Sequence, residues 1–285
     1  MMSARRRPFV HWPGWGRLII LFMTLLGLAA IGIPLLWAVS GSLKTEVDYR
    51  QIPVRILPSS ISFDAYQHVL ADGRLPRSFL NSVIVATMEV TAVLLTSSLA
   101  GYVFARKMFW GKDALFIFVL ASTMVPFTML LIPLYLMLVS LHFTDNYIAV
   151  VAPTAVSAYG IFLCRQFIRG IPGELFDAAA IDGASDLQMY RRIVLPIAQP
   201  VLAALAIFTL ISSFNSLLWP LVALSNSDMF TLPIALAGYA RQGESIIFTQ
   251  ILAAAVIGSL PLVVAFLVLQ RSFVKGISMT GLGGH

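Results

Sequence analysis

The chain has 285 residues, of which 59% are apolar and only 11% charged, with a formal net charge of +6 and a mean hydropathy of +0.88. Soluble domains carry about 25% charged residues, so this composition excludes a water-soluble globule and reads as an integral membrane protein. The positive balance does not indicate a nucleic-acid surface, because no basic stripe interleaves with aromatics on a soluble element.

A hydrocarbon layer about 30 Å thick needs roughly 20 apolar residues per helix, with every backbone polar group satisfied inside the helix. Six stretches meet that demand: residues 18–40, 81–105, 114–140, 147–169, 197–224 and 247–270. The expected fold is therefore all-α and integral to the membrane, with six transmembrane helices and both termini on one side. Arg5, Arg6, Arg7 and Arg17 precede the first span, Arg106, Lys107 and Lys112 separate the second from the third, and Arg165, Arg169, Arg191 and Arg192 flank the next long polar segment. With Arg271 and Lys275 these face one side, which the positive-inside rule assigns to the cytoplasm, giving an N-in, C-in topology. Against it stand Lys44, Arg50, Arg55, Arg74 and Arg77 in the first loop outside.

Along the chain, Ala38-Val39-Ser40 has the small residues of a leader cleavage site. The apolar run Leu18–Val39 exceeds the roughly 7–15 residues of a signal core, so an uncleaved first helix is expected. The first outer loop, with Pro53, Pro58 and Pro76, predicts a strand-like turn and one surface helix over Phe63–Leu70. Trp110-Gly111 and Asp145-Asn146 mark the bends between later helices. Pro126 and Pro133 in the third span, Pro220 in the fifth and Pro261 in the sixth predict kinks, either as packing features or in helices that line or gate a path.

The segment Glu174–Pro196, ELFDAAAIDGASDLQMYRRIVLP, is polar and lies between long apolar runs. Pro172 suits a helix start, Glu174 and Asp177 place negative charge at the positive end of the dipole, and Arg191 and Arg192 fall near the far end. A face of Phe176, Ala179, Ala180 and Gly183 is expected to be exposed and to want a partner. Gly183 allows the backbone to turn into a second short helix that ends before Pro196. On physical grounds alone, an interfacial helix shielding lipid headgroups fits equally well.

Chemistry is sparse. There is no GxxxxGK[ST] loop, no HExxH, no GxSxG and no CxxC, and His11, His68, His142 and His285 are scattered without ligand spacing. No catalytic or metal site is expected, and Cys164, the single cysteine, carries no chemistry. Glu89 is the one acid inside a predicted span, where an ionised group costs about 2.5–3.5 kcal/mol and so faces a partner or water. It is either a substrate or ion contact or one end of an inter-helix hydrogen bond.

Asp177-Ala178-Ala179, then Gly183, then Ile193, Leu195 and Pro196, resemble the "EAA…G…I-LP" loop of the inner-membrane permease subunits of binding-protein-dependent ABC importers. The resemblance extends through Ser42-Leu43-Lys44-Thr45, Asn81-Ser82, Leu99-Ala100-Gly101-Tyr102, Val125-Pro126, Pro133-Leu134-Tyr135 and Leu218-Trp219-Pro220. It is nearest to the maltose and glycerol-phosphate type of sugar permease. Asp177 stands where the family usually has Glu, and Phe214 where a Trp often precedes Asn215.

The resemblance implies a type I importer permease fold with a tail 1–17, a first helix 18–40, an outer loop 41–76, a permease domain 77–271 containing a coupling loop 172–196, and a tail 272–285. It implies a non-catalytic transport subunit of a bacterial-type inner membrane that forms half of a path for a carbohydrate or carbohydrate-like solute. Its expected partners are a second, homologous permease, two copies of an ABC ATPase, an extracytoplasmic solute-binding protein and membrane lipid, with no nucleic acid. The chain binds no cofactor, and MgATP is used by the partner subunits. Coupling falls to Glu174, Asp177, Ala178, Ala179, Asp182, Gly183, Arg191 and Pro196. Candidate path residues are Tyr135, Ser213, Asn215, Trp219 and Glu89. An anionic solute would want an intramembrane cation and none falls clearly within a span, which favours a neutral glycan. The alternative is a stand-alone secondary transporter that depends on Glu89.

Overall fold

The structure, a computed structural model, describes residues 14–239 and 247–281. Arg5, Arg6, Arg7, His11 and His285 lie outside the described residues. Among the described residues every regular element is helical. Three helices are long and apolar enough to cross a membrane by themselves, over Leu18–Ser42, Arg74–Arg106 and Phe248–Val268. Three further spans arise only if bent helix pairs are each counted as one, which brings the total to the six expected. The chain divides into two compact units, residues 1–67 with 247–256, and residues 68–246 with 257–285.

In the first unit, helix α1 (Gly14–Ser42) exposes large apolar side chains all round, Leu18, Leu28, Ile31 and Leu36 among them. A helix apolar on every side suits hydrocarbon rather than water. It runs without interruption through Ala38-Val39-Ser40. The loop that follows holds no strand among the described residues, contrary to the expectation of a strand-like turn, because its prolines and polar side chains close it by local hydrogen bonds. Thr45 caps the short α2 (Glu46–Tyr49), its hydroxyl accepting from the Asp48 amide at 3.2 Å. The Asp48 carboxylate accepts from the Ser59 amide at 2.9 Å and from its hydroxyl at 2.7 Å. These bonds hold the Asp48 carboxyl below the ordinary range. Glu46 accepts from Arg50 at 2.7 Å and from the amide and hydroxyl of Thr249 at 3.2 and 3.0 Å. Burial raises the Glu46 pKa, but these bonds outweigh it and leave it lowered. Helix α3 (Asp64–Ala71) matches the expected surface helix, with Ala65 and Val69 buried on its inner side.

The second unit is organised around α4 (Arg74–Arg106), 33 residues without a break. It starts seven residues before the expected span, because Pro76 falls in its first turn, where a missing N–H costs nothing. Helix α4 crosses α8 (Ala158–Arg169) at very short range. A Cβ on Gly101 would lie 2.6 Å from the Cβ of Cys164, and one on Gly160 would lie 2.3 Å from the Ser97 hydroxyl. The pairs Ser97/Gly101 and Gly160/Cys164 are each spaced four apart, so two small-residue faces meet, as in close helix pairs in membranes.

The third and fourth expected spans are broken. Helix α5 (Lys112–Ala121), continued by a 3-10 turn to Met124, meets α6 (Phe127–Ser140) at a bend of 96°. The break falls at Val125, whose backbone is extended, because a residue before proline is pushed out of the helical region. Pro133, by contrast, stays inside α6. The stretch Tyr147–Thr154, which begins as α7 (Tyr147–Val151), and α8 meet at 51°. The expected fifth span, 197–224, is divided at the extended Ser216, and the bent pair found in this region instead joins Asp186–Ile197 to Gln199–Asn215 at 75°.

Candidate functional site

The segment after α8 is built as two short helices and a glycine turn. Helix α9 (Glu174–Ile181) carries Glu174 and Asp177 in its first turn, near its positive end. It closes with the Ala184 amide donating to Ala179 O at 2.9 Å and the Gly183 amide to Ala180 O at 3.0 Å. That pair of bonds is a Schellman motif, which requires a left-handed residue at Gly183, where φ is +75°. A Cβ there would meet nothing within 4 Å, so the glycine serves backbone conformation and not packing. Ser185 then caps α10 (Asp186–Met189) in a reciprocal capping box with Gln188.

Two expectations for this segment need correction. The second helix does not end before Pro196: it widens into a π turn over Tyr190–Val194 and continues as α11 (Leu195–Ile197), with Pro196 in the first turn. Pro196 has no N–H to donate along this continuous helix, and the wider π turn stands just before the missing bond. Nor is Phe176 part of an exposed face. Its ring lies 4.2 Å below the Arg106 guanidinium and packs on the cluster of Ile168, Ile171, Tyr190 and Val194. Ala179, one turn on, is half-buried, whereas Leu175, Ala178, Asp182 and Gly183 are exposed and Ile181 is 87% exposed. The open face is therefore Leu175, Ala178, Ile181 and Asp182, with Leu187 beyond it; Glu174, Asp177, Arg191 and Pro196 are also exposed.

Three contacts join this segment to the Arg106 end of α4. Arg106 donates from Nη2 to the carbonyls of Ile168, at 3.0 Å, and Ile171, while its guanidinium covers Phe176. Lys107 donates to the Asp186 carboxylate. The Tyr190 hydroxyl shares a buried 2.7 Å hydrogen bond with the Ser98 hydroxyl, beside the ring of Tyr102.

At mid-length α4 carries Glu89, which lines two cavities of about 380 and 360 Å³. The first is walled by Thr154, Ser157, Tyr159, Phe208, Thr209 and Ser212 among others. Ser82, Phe127, Thr154, Ser212, Ser213, Ser216 and Trp219 face the second. Glu89 is half-buried and makes no hydrogen bond to another described residue, so it is not the inter-helix link that was one expectation for it. Among the described residues, neither cavity is lined by a lysine or arginine.

Of the expected path residues, Glu89, Ser213 and Trp219 share the second cavity. Trp219 is buried, donates its indole N–H to Val150 O at 3.0 Å and meets Phe127 edge-on. Tyr135 is exposed on α6 and lines neither cavity, and the Asn215 amide turns back on its own helix, α12 (Gln199–Asn215), to Ile211 O at 2.8 Å. Thr209, Ser212 and Ser216 were missed beside Ser213. The spacing places Thr209, Ser212 and Ser213 on one face of α12, with Ser216 just past its end, a signal that was legible in the sequence.

At the other end of α4, Asn81 donates to the carbonyls of Asp228 and Phe230 at 2.8 and 2.9 Å and accepts from the Tyr147 hydroxyl at 2.8 Å. Ser82 accepts from the Leu232 amide at 2.8 Å. These bonds fix the strap that leads into α13 (Leu232–Tyr239) across the end of the helix.

The chain is 33% identical to the arabinooligosaccharides transport system permease protein AraQ of Halalkalibacterium halodurans, over 99% of this chain and all of that one. It is 31% identical to the lactose transport system permease protein LacG of Rhizobium radiobacter, over 86% of this chain and 88% of that protein. Its fold matches a chain of a bacterial ABC transporter involved in the import of the acidic polysaccharide alginate, with a TM-score of 0.81 and 25% identity, covering 94% of this chain and all of that chain. The sequence model for binding-protein-dependent transport system inner membrane components matches residues 92–279, about two thirds of the length, and the chain belongs to that family.

Proposed function

We propose that this chain is the half of an importer's membrane channel that takes an uncharged glycan, pairing with a second, different permease and resting on two copies of a separate ATPase. Family membership makes it a non-catalytic transport subunit of an inner membrane and sets aside the stand-alone carrier. The observation that carries the solute class is the lining around Glu89: among the described residues it holds eight hydroxyl side chains from Ser and Thr, the Tyr159 phenol, the aromatic faces of Phe127, Phe208 and Trp219, one carboxylate and no cation. Aromatic faces and hydroxyls suit a sugar ring. A phosphate or uronate would find no lysine or arginine to pair with among the described lining residues.

The segment 172–196 is the docking surface for the ATPase, with both termini of the chain on that side of the membrane. Leu175, Ala178, Ile181, Asp182 and Leu187 form its contact face. Glu174 and Asp177 orient the helix through its dipole, Gly183 holds the turn, and Arg191 and Pro196 lie where the segment returns to the membrane. MgATP is bound and cleaved by the partner, and an extracytoplasmic binding protein delivers the solute.

Two measurements test this reading. Gly183→Leu forces a branched side chain into a left-handed backbone, at a cost of roughly 1–2 kcal/mol. It should leave membrane insertion intact and abolish uptake, and normal uptake would refute the docking assignment. Uptake of arabinotriose, lactose and an alginate trisaccharide by cells that depend on this chain should favour the two neutral sugars. A preference for the uronate would refute the solute class.

A further inference from the structure

We propose that Arg106 is the positioning residue that makes the coupling helix and α4 move together, through a cation–π seat on Phe176. The inference rests on the docking role proposed for 172–196. Helix α9 is joined to the rest of the chain by short turns, at 170–173 and 182–185. Side-chain contacts with α4, which carries Glu89, give a push on its exposed face a direct route to the cavity.

The three contacts are not equal. Lys107 and Asp186 form an exposed pair, 36% and 64% accessible, and such pairs contribute about 0–1 kcal/mol. The Ser98–Tyr190 bond is buried, but it holds the π turn, beyond Gly183 and on the far side of the hinge from α9. Of these three, the Arg106 contact is the one that reaches α9 itself. Its planar group sits 4.2 Å over the Phe176 ring while Nη2 donates to Ile168 O and Ile171 O, at and just past the end of α8. One guanidinium therefore ties α4, the α8 terminus and α9 at a single point. Lysine cannot reproduce this, because an ammonium lacks the fixed fork and the flat face. Nε of Arg106 is buried without a partner, so the group is held in this pose by its stacking and its two carbonyl bonds.

The test uses the full complex, with partner permease, ATPase and binding protein, reconstituted in phospholipid vesicles. Arabinotriose, lactose and N,N′-diacetylchitobiose together serve as probe solutes. The variants are Arg106→Lys, Phe176→Leu and the double substitution. Phe176→Leu keeps apolar bulk and leaves the carbonyl bonds of Arg106 in place, so it remains informative if the arginine variant folds poorly. The readouts are ATPase retained on the purified complex and hydrolysis with binding protein divided by hydrolysis without it.

With the ATPase retained, the ratio should fall roughly 3- to 30-fold in either single variant, and no further in the double. A normal ratio in Phe176→Leu, or losses that multiply in the double, would overturn the inference and reduce Arg106 to a cap on α8. If the ATPase fails to associate with the unsubstituted chain, the docking reading itself falls, and the inference with it.

Discussion

A methyl group placed on Gly101 should pry α4 from α8 and open the one cysteine of the chain to reagents. The added Cβ would stand 2.6 Å from the Cβ of Cys164 and 3.0 Å from the backbone nitrogen of Arg165. Carbon–carbon contact is comfortable at about 3.5–4.0 Å, so the helices must separate by about 1 Å. No rotamer change helps, because one of the two obstacles is backbone. Overpacking of this kind costs about 1–3 kcal/mol. Alanine recovers up to about 1 kcal/mol of helix propensity, which leaves a net loss of roughly 1–2 kcal/mol.

Cys164 is fully buried against Gly101, so the rate of its modification by N-ethylmaleimide reports the separation. A loss of that size multiplies the open population by roughly 5–30, and labelling of Gly101→Ala should accelerate in proportion. Gly27→Ala is the control, because a Cβ there meets nothing within 4 Å. Melting in detergent should fall for Gly101→Ala and recover when Cys164→Gly is added. Equal labelling rates in the Gly101 and Gly27 variants, with no recovery, would refute the close-crossing argument.

Asn81→Leu removes three hydrogen bonds at once and strands the Phe230 carbonyl and the Tyr147 phenol, while Asp228 O keeps its bond from Arg77, at roughly 2–4 kcal/mol in total. Protease cleavage within residues 225–231 should quicken, and an unchanged digestion pattern would show that the strap is held by other means. Acid should loosen the first unit. Glu46 and Asp48 both titrate below their ordinary 4.5 and 3.8 when folded. Their contribution is complete above those values and is lost as pH falls through the lowered ones. Melting in detergent should hold from pH 7 to about 5 and decline below about 4, and the decline should flatten in a Glu46→Gln, Asp48→Asn double variant. An identical decline in that variant would assign the acid sensitivity elsewhere.

Much of the architecture was legible because it is written in local pattern. Apolar runs mark the spans, Gly111 and Asp145 take positive φ at the bends where turn signals fell, and Gly183 turns where the spacing called for it. Long-range partners decided the rest. The 96° break falls at Pro126 while Pro133 stays helical, although both lie in the same apolar run, and nothing within that run distinguishes them. Phe176 turned inward because Arg106, 70 positions earlier, offers it a cationic lid. Tyr135 and Asn215 line neither cavity, one standing on an exposed face and the other bonded to its own helix. The hydroxyl face of α12 was readable, and choosing Ser213 alone discarded the periodicity that Thr209, Ser212 and Ser216 supplied.

The unbroken length of α4 has a mechanical corollary. At 1.5 Å per residue its 33 residues make a rod about 50 Å long. Tilted by about 10° around its midpoint, such a rod displaces each tip by about 4 Å, in opposite directions. About 13 Å from the midpoint, where the shift is about 2 Å, the rod grips the 228–232 strap through Asn81 and Ser82, and its other tip grips α9 and the α8 terminus through Arg106. Even a shift of about 2 Å exceeds the tolerance of a hydrogen bond. The strap must then either travel with the rod or let go of it, so movement at one end cannot leave the other undisturbed. Glu89, near the fulcrum, barely shifts while the walls around it change.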